Sequence, residues 1–499
     1  MISDFLKTRA KLTPNKIALK EYFGDKSRTF SQLENNAHKL AASMKSIGVG
    51  EGDRIGALCR NRVEFFETLF ACAKLGAILV PFNWRSPCDE IIPLYETITP
   101  KILFYGDEDA QNALQIAGAN CAINYDDGYQ DFIEIGGEFK ARDFWPDDEC
   151  WYLIFTSGTT GKPKAVIQTY RMALANAVNI GQAIGISPDD KFLNFLPLFH
   201  TAGINLHTLP ALINGCMSWV ISGFDAKSVL DLVSRNELSC FFGVPQVYLL
   251  LSQHEDFEKT NIANLRNWGC GGAPLPDYLV EIFAKRGALV CNGMGMTETG
   301  PTVFMMDKEN VLNKIGSVGK SQVLTIARVV DDDFNECPKN QEGHLVFAGP
   351  NITIGYWNNP NATKETFHTD ANGINWLKSG DLAKIDEDGY YYIVGRSKEM
   401  FISGGENVYP AEVENALLGH EDIIEAAIIG IPDEKWGEVG VAFLSAKRQI
   451  ENDELIAFCR SKLAAFKIPK KFIFVDDYPR TAAGKIQKHI LKKEYENGN

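Results

Sequence analysis

The sequence predicts an α/β protein: a large N-terminal domain of layered α/β subdomains over residues 1–397, then a small C-terminal α+β domain over 398–499. Three observations carry this. Strand-like and helix-like segments alternate from early in the chain. Glycine-rich punctuation follows strands at Gly269, Gly271 and Gly272 and again at Gly293 and Gly295. Near residue 395 the texture changes, and about a hundred residues with their own small α/β pattern follow. At 499 residues the chain also exceeds the size at which single cores stop growing.

Taken in order, Ser31-Gln32-Leu33-Glu34 reads as a capping box. It opens an amphipathic helix with Leu33, Ala37, Leu40, Met44 and Ile47 on one side, closed by Gly48 and Gly50. Residues 54–59 read as a strand, 63–75 as a helix and 77–82 as a strand, and strands at 101–105 and 121–125 flank a further helix. Such alternation argues for largely parallel sheets. The apolar run 151–155 reads as a buried strand, and Ala165-Val166-Ile167 as a second strand returning from it in a hairpin. Residues 227–237 read as a helix, 239–244 as a strand, 277–286 as a helix and 288–291 as a strand. After a strand at 390–394, the last hundred residues show helix 411–418, strands 425–431 and 439–445, helix 453–463 and strand 472–475.

Thr156-Ser157-Gly158-Thr159-Thr160-Gly161-Lys162-Pro163-Lys164 joins the hairpin. Glycines let backbone N–H groups turn toward a common point, while hydroxyls and lysines add donors and positive charge. That is the chemistry of a loop holding a polyphosphate. It is not the common P-loop, which needs four residues between its glycines and then Lys-Ser or Lys-Thr opening a helix. In open α/β sheets ligands sit at the carboxyl ends of strands, so the other glycine-rich turns are expected to converge with this one.

Composition narrows the partners. Fifty basic residues stand against 64 acidic ones, a net charge of −14. That balance argues against a general nucleic-acid or anionic-membrane surface, and the short Lys467-Ile468-Pro469-Lys470-Lys471 stretch does not overturn it. The first residues lack the apolar core of a signal peptide. No run of 18 apolar residues occurs, so no transmembrane segment is expected; the nearest, 71–84, is broken by Lys74. Eleven cysteines are scattered singly with no C-x-x-C. They predict buried thiols, no cysteine metal site and a reducing, cytoplasmic setting.

Several of these segments, in this order along essentially the whole chain, resemble the adenylate-forming (ANL) enzymes: acyl-CoA synthetases, luciferases and peptide-synthetase adenylation domains. The 156–164 loop resembles that family's phosphate loop, with Ala165 where glycine is usual. Leu196-Pro197-Leu198-Phe199-His200-Thr201-Ala202-Gly203 resembles its acyl-pocket segment, which implies that His200 shapes the site near the carboxylate. Gly271-Gly272-Ala273-Pro274 resembles the adenine-side loop. Asn292-Gly293-Met294-Gly295-Met296-Thr297-Glu298 resembles the Gly-x-Thr-Glu segment, implying Thr297 at the α-phosphate and Glu298, with Thr156, on Mg²⁺. Met294 departs from the pattern, standing where an aromatic residue usually stacks on adenine; its polarisable sulfur can still cover a ring face. Ser379-Gly380-Asp381-Leu382 resembles the ribose-binding segment, where an acceptor-only carboxylate suits two hydroxyl donors.

By the same resemblance Arg396 reaches ribose or phosphate, and Lys398 is the hinge of a mobile C-terminal domain. Gly404-Gly405-Glu406-Asn407 borders the thiol tunnel, and Lys485, in Pro479-Arg480-Thr481-Ala482-Ala483-Gly484-Lys485, bridges carboxylate and α-phosphate. The closest likeness is to fatty-acid and aryl-acid CoA ligases. It implies ATP, Mg²⁺ and coenzyme A, a carboxylic acid substrate, and a homodimer as the candidate assembly. By position relative to the matched segments, Ile204, Asn205, His207, Phe242, Val244, Met296 and Thr299 are expected to line the acyl pocket. The aspartate that anchors amino acids in peptide synthetases is absent beside His200, and Asp225 reads as a helix N-cap. Transfer of the acyl group to a non-CoA acceptor, and a nucleotide-binding regulator without turnover, are the alternatives.

Overall fold

A computed structural model describes residues 1–118, 122–156, 163–480 and 486–498. Six sheets organise them. The first carries the hairpin and has six strands, in the order Lys164–Thr169, Cys150–Thr156, Ile78–Pro81, Arg54–Leu58, Ile102–Tyr105, Ala122–Asn124. All neighbours are parallel except the hairpin pair, whose register sets Lys164 opposite Thr156. Trp151 to Ile154 are completely buried, which is why that strand reads as unbroken apolar sequence. Helix Val63–Leu75 is buried on every side. Its Lys74 is accommodated by ion pairs of 2.7 Å to both Asp4 and Glu34.

The first long helix spans Phe30–Ser46, and its capping box is set by Thr29 rather than Ser31. The Thr29 hydroxyl accepts from the Gln32 N–H, and the Gln32 amide oxygen accepts from the Thr29 N–H. Ser31 is the second residue of the helix, inside its first turn. Leu33, Ala37, Leu40 and Met44 are buried as expected, while Ile47 falls beyond the helix and is exposed. The Cys121 start of the last strand of this sheet lies outside the described residues.

The second sheet has the order Lys191–Asn194, Met217–Val220, Ile17–Glu21, Ser27–Thr29. The third runs Cys240–Gly243, Asn267–Cys270, Val290–Gly295, Thr302–Met305, Lys320–Ser321. Its first three strands are parallel and the rest antiparallel. The strand expected to stop at Cys291 continues through the glycines to Gly295, because Thr302–Met305 folds back to pair with it. The fourth sheet, built on Ile326–Val330, Gly343–Ala348 and Asn375–Ile385, is wholly antiparallel. Tight turns explain this departure from the parallel expectation. At Asp386 a side-chain oxygen accepts from the Asp388 and Tyr390 N–H groups, and so short a link can join only antiparallel strands.

The last sheet pairs Gly437–Ala446 with Ile423–Asp433, Phe401–Ser403 and Lys471–Phe474. Helices Pro410–Leu418 and Asn452–Arg460 close a separate core containing Phe401, Val413, Leu417, Ile428, Leu444 and Leu455. The large N-terminal and small C-terminal units touch where the Tyr409 hydroxyl donates to Glu342 at 2.7 Å. Among the described residues no helix is long and apolar enough to cross a membrane. The ten described cysteines are all free, and eight are buried.

Candidate active site

Thr156 and Lys164 end the two hairpin strands and face each other, the Thr156 hydroxyl 3.4 Å from the Lys164 carbonyl. Ser157, Gly158, Thr159, Thr160 and Gly161, predicted to cradle phosphates, lie outside the described residues. The Lys164 ammonium sits 5.0 Å from the ring centroid of Tyr356. The Tyr356 hydroxyl in turn donates to Glu298 Oε1 at 2.9 Å. Burial, then the adjacent Glu298 carboxylate, raises the Tyr356 phenol above its ordinary pKa, so it stays a donor. The 355–357 segment is tied to the hairpin by backbone bonds from Ile167 to Gly355 and from Trp357 to Ala165. The second hairpin strand and Glu298 are thus joined through one tyrosine.

Glu298 is 7% exposed and makes no ion pair with any described residue. A buried carboxylate carrying one neutral donor fits a hard cation. No group of three or more His, Cys, Asp or Glu side chains among the described residues could hold a metal. The chemistry of the Glu298 carboxylate is of the kind that suits Mg²⁺, which is usually bound by one or two carboxylates together with substrate phosphates and water.

Close backbone contacts explain the glycines. A Cβ on Gly271 would lie 2.7 Å from the Gly293 carbonyl, so the Gly271-Gly272-Ala273-Pro274 loop and the strand leading to Thr297 and Glu298 meet at this seam. A Cβ on Gly295 would lie 1.6 Å from the Pro301 carbonyl, which accepts from the Met296 N–H. Gly272, Ala273 and Pro274 follow in the turn before helix Asp277–Ala284. Three buried amides hold the loop after Gly295. Asn176 donates to the Asn205 carbonyl and accepts from the Thr302 N–H, Asn205 donates to Gly300, and Asn351 donates to Thr299. Gln168, on the hairpin strand, donates to the Thr297 carbonyl at 2.8 Å. Met294 packs on the core of Val303, Phe304 and Val318. The Asn292 amide is directed to the Ser317 carbonyl.

The histidine segment hangs from the Lys191–Asn194 strand. Asn61 donates to the Asn194 and Leu196 oxygens, and Asn194 donates to the Gly203 carbonyl and the Thr208 hydroxyl. His200 packs on Phe199 at 4.6 Å between centroids. Ala202–Leu206 then forms one π-helical turn, a feature that recurs at functional sites. His207, directly after it, and Phe242, on the strand Cys240–Gly243, line one cavity. Of the other expected pocket residues, Ile204 belongs to the N-terminal core, while Asn205 and Thr299 are committed to loop carbonyls. Those three hold the walls rather than face the space. Burial pushes the His207 imidazole down to about 3, so it is neutral.

Asp381 is 5% exposed and pairs with Arg396 Nε at 2.7 Å across neighbouring strands. The Ser379 hydroxyl accepts from the Asp381 N–H and donates to the Leu345 carbonyl, fixing the carboxylate's strand. Lys398 is exposed in the turn that follows Arg396. Gly404 and Gly405 make a two-residue hairpin turn with φ of +64° and +88°, conformations natural to glycine. The Gly404 N–H donates to the Trp436 carbonyl at 2.8 Å. Lys485 lies outside the described residues. Asp225 caps helix Ala226–Ser234 by accepting from the Ser228 N–H, as its sequence position implies.

Comparison with known proteins decides the family. Residues 6–357 match the family model described as AMP-binding enzyme, and residues 412–485 match the AMP-binding enzyme C-terminal domain. The chain belongs to the AMP-binding enzyme family. The resemblance to adenylate-forming enzymes is therefore borne out. A feruloyl-CoA synthase of Amycolatopsis sp. is 35% identical over 497 residues, 98% of this chain and 97% of that protein. A long-chain-fatty-acid–CoA ligase of Mycobacterium tuberculosis is 32% identical over 501 residues, 98% of this chain and 97% of that one. The o-succinylbenzoate CoA synthetase of Bacillus subtilis in complex with its acyl-adenylate superposes with a TM-score of 0.89 at 31% identity, covering 98% of both chains. The same enzyme with ATP and magnesium ion matches with a TM-score of 0.89, 31% identity, and 98% and 99% coverage.

For this AMP-binding enzyme, four positions escaped the sequence reading: Tyr356, Gln168, Asn176 and Asn351. Each acts across more than fifty residues of chain, as |i−j| values of 58, 129, 126 and 52 show. The single local sign was polar residues inside otherwise apolar segments.

Proposed function

We propose that the chain is an AMP-forming acid–thiol ligase, an acyl-CoA synthetase acting on a fatty or aryl acid. A carboxylate oxygen attacks the α-phosphorus of ATP, the bond from that phosphorus to the bridging oxygen breaks, and pyrophosphate leaves. The CoA sulfur then attacks the acyl carbon, its proton is lost, the acyl–phosphate C–O bond breaks, and AMP leaves. The observation that supports this reading best is the Lys164–Tyr356–Glu298 connection, which joins a cation at the end of the hairpin to a buried carboxylate. The names of the relatives, all acid–CoA ligases or synthases, support it.

The mechanism follows from charge. Both reactants are anions, so cations and donors must neutralise and align them. Glu298 and Thr156 would hold Mg²⁺, which supplies charge neutralisation at the phosphates when bound. Thr297 is assigned to the α-phosphate, and Asp381 with Arg396 to the ribose. The Gly271–Gly293 seam receives the adenine with Ala273, Pro274 and Met294 beside it. Lys485 bridges carboxylate and α-phosphate. His200 shapes the space around the carboxylate. The domains divide at 397/398, and rotation about Lys398 replaces Lys485 with the Gly404–Gly405 turn for the thiol step. A cytoplasmic setting fits the free, mostly buried cysteines; a homodimer is the candidate assembly.

A panel of acids run with ATP and Mg²⁺, with and without CoA, tests the reading. Pyrophosphate release and thioester formation are followed together. CoA-dependent thioester on one acid class is the expected result. Pyrophosphate without thioester points to another acceptor, and no release from any acid overturns the assignment.

A further inference from the structure

His207 sits on the cavity formed by Leu193, Leu196, Ala202, Thr208 and Phe242. The cavity has room for about one water-sized group beside the imidazole. The ring lies edge-on to Phe192 at 5.1 Å and to Phe242 at 5.8 Å between centroids. His207 is 6% exposed, and its ring has no hydrogen-bond partner among the described residues. The neighbouring polar side chain is satisfied: the Asn194 amide is spent on Gly203 and Thr208 and its oxygen accepts from Asn61. An imidazole that faces a cavity with no protein partner leaves its donor and acceptor for a ligand or a water to complete.

The cavity adjoins the reaction site. The Phe242 ring lies 2.9 Å and 3.0 Å from where Cβ atoms would stand on Gly269 and Gly271, and Gly271 meets Gly293 on the strand leading to Thr297 and Glu298. On the other side Ala202 is two residues from His200. The cavity thus lies beside both the segment assigned to the carboxylate and the loop assigned to the nucleotide.

We propose that His207 is a specificity-determining residue for the acid, its imidazole hydrogen-bonding an uncharged polar group, a hydroxyl or carbonyl, carried at the end remote from the carboxylate. This rests on the adenylating reading above. The neutral imidazole offers one donor and one acceptor, which matches a hydroxyl or a carbonyl. None of the cavity's lining residues is charged, so a second carboxylate would be buried without a counter-ion. The substrate class that follows is an oxygenated monocarboxylic acid, ahead of a plain hydrocarbon chain and ahead of a dicarboxylate.

Pyrophosphate release with ATP and Mg²⁺ is measured for matched acids: cinnamate against 4-hydroxycinnamate, and octanoate against 8-hydroxyoctanoate, with suberate as the dicarboxylate. The expected result is a kcat/KM at least about tenfold higher for the hydroxylated member of one pair, since a site built to bond a hydroxyl rejects the analogue lacking it. His207→Phe is expected to erase that ratio, and His207→Gln, which keeps a donor and an acceptor, to restore part of it. Equal or inverted ratios in the unaltered protein overturn the assignment without needing any variant, and leave the ligase reading standing. A ratio unchanged in folded His207→Phe also overturns it. No pyrophosphate from any acid overturns both.

Discussion

Replacing Tyr356 with phenylalanine removes one hydroxyl and leaves the ring beneath Lys164. The lost contact is a 2.9 Å hydrogen bond to the Glu298 carboxylate. Hydrogen bonds to charged groups contribute roughly 1.5–3 kcal/mol, and 1.4 kcal/mol is a factor of about ten, so the loss corresponds to about 10- to 100-fold. Water reaching Glu298 would place the effect near the lower bound. The effect should fall on the half-reaction that uses the carboxylate. The Mg²⁺ concentration giving half-maximal pyrophosphate release should rise about tenfold, while thioester formation from supplied acyl-AMP stays within about twofold. Competition of Mn²⁺ for the ATP complex, read by electron paramagnetic resonance, gives a check independent of turnover. An unchanged Mg²⁺ dependence in a folded variant, or equal loss in both half-reactions, would refute the reasoning.

Three further outcomes are expected. Gly295→Ala forces a Cβ against the Pro301 carbonyl at 1.6 Å; its cost belongs at the upper end for overpacking, about 3 kcal/mol, and a lowered thermal midpoint with loss of adenylation reports it. Lys485→Ala should abolish pyrophosphate release while largely sparing thioester formation from supplied acyl-AMP, and loss of both in a folded variant contradicts the assigned role. Asp126 accepts from both Arg62 guanidinium nitrogens at 2.9 and 2.6 Å, and that pairing holds its carboxyl down to about 2. Its contribution, about 2 kcal/mol, is complete above the unfolded value near 3.9 and disappears as pH falls from there toward 2; denaturant midpoints across that window should therefore drop less for Asp126→Asn than for the unaltered chain.

What the sequence disclosed, and what it hid, separates by the range of the cause. Strand 150–156 and helix 63–75 were legible because burial on both faces leaves continuous apolar sequence. The glycines were legible because a backbone approach as close as Gly295 to Pro301 excludes every side chain. The antiparallel sheet over 326–396 carried its own sign in the Asp386–Gly389 turn, which the alternating pattern upstream overshadowed. The partners of Glu298, Thr297 and Gly300 carried almost none: a tyrosine between a glycine and a tryptophan is locally a turn residue, and its duty is set by where a distant strand ends. The candidate site accordingly divides in two. Groups assigned to touch substrate lie in short glycine-rich segments, where backbone geometry constrains residue type. Groups that aim them, Tyr356, Gln168, Asn176 and Asn351, lie on packed elements, where any polar residue of the right reach would satisfy local rules. His207 belongs between these classes. It lies seven residues beyond His200, directly after the π-helical turn Ala202–Leu206, and lines the cavity. The segment's resemblance put His207 among the expected pocket residues, and the cavity beside its ring is what makes the imidazole a candidate reader of the acid.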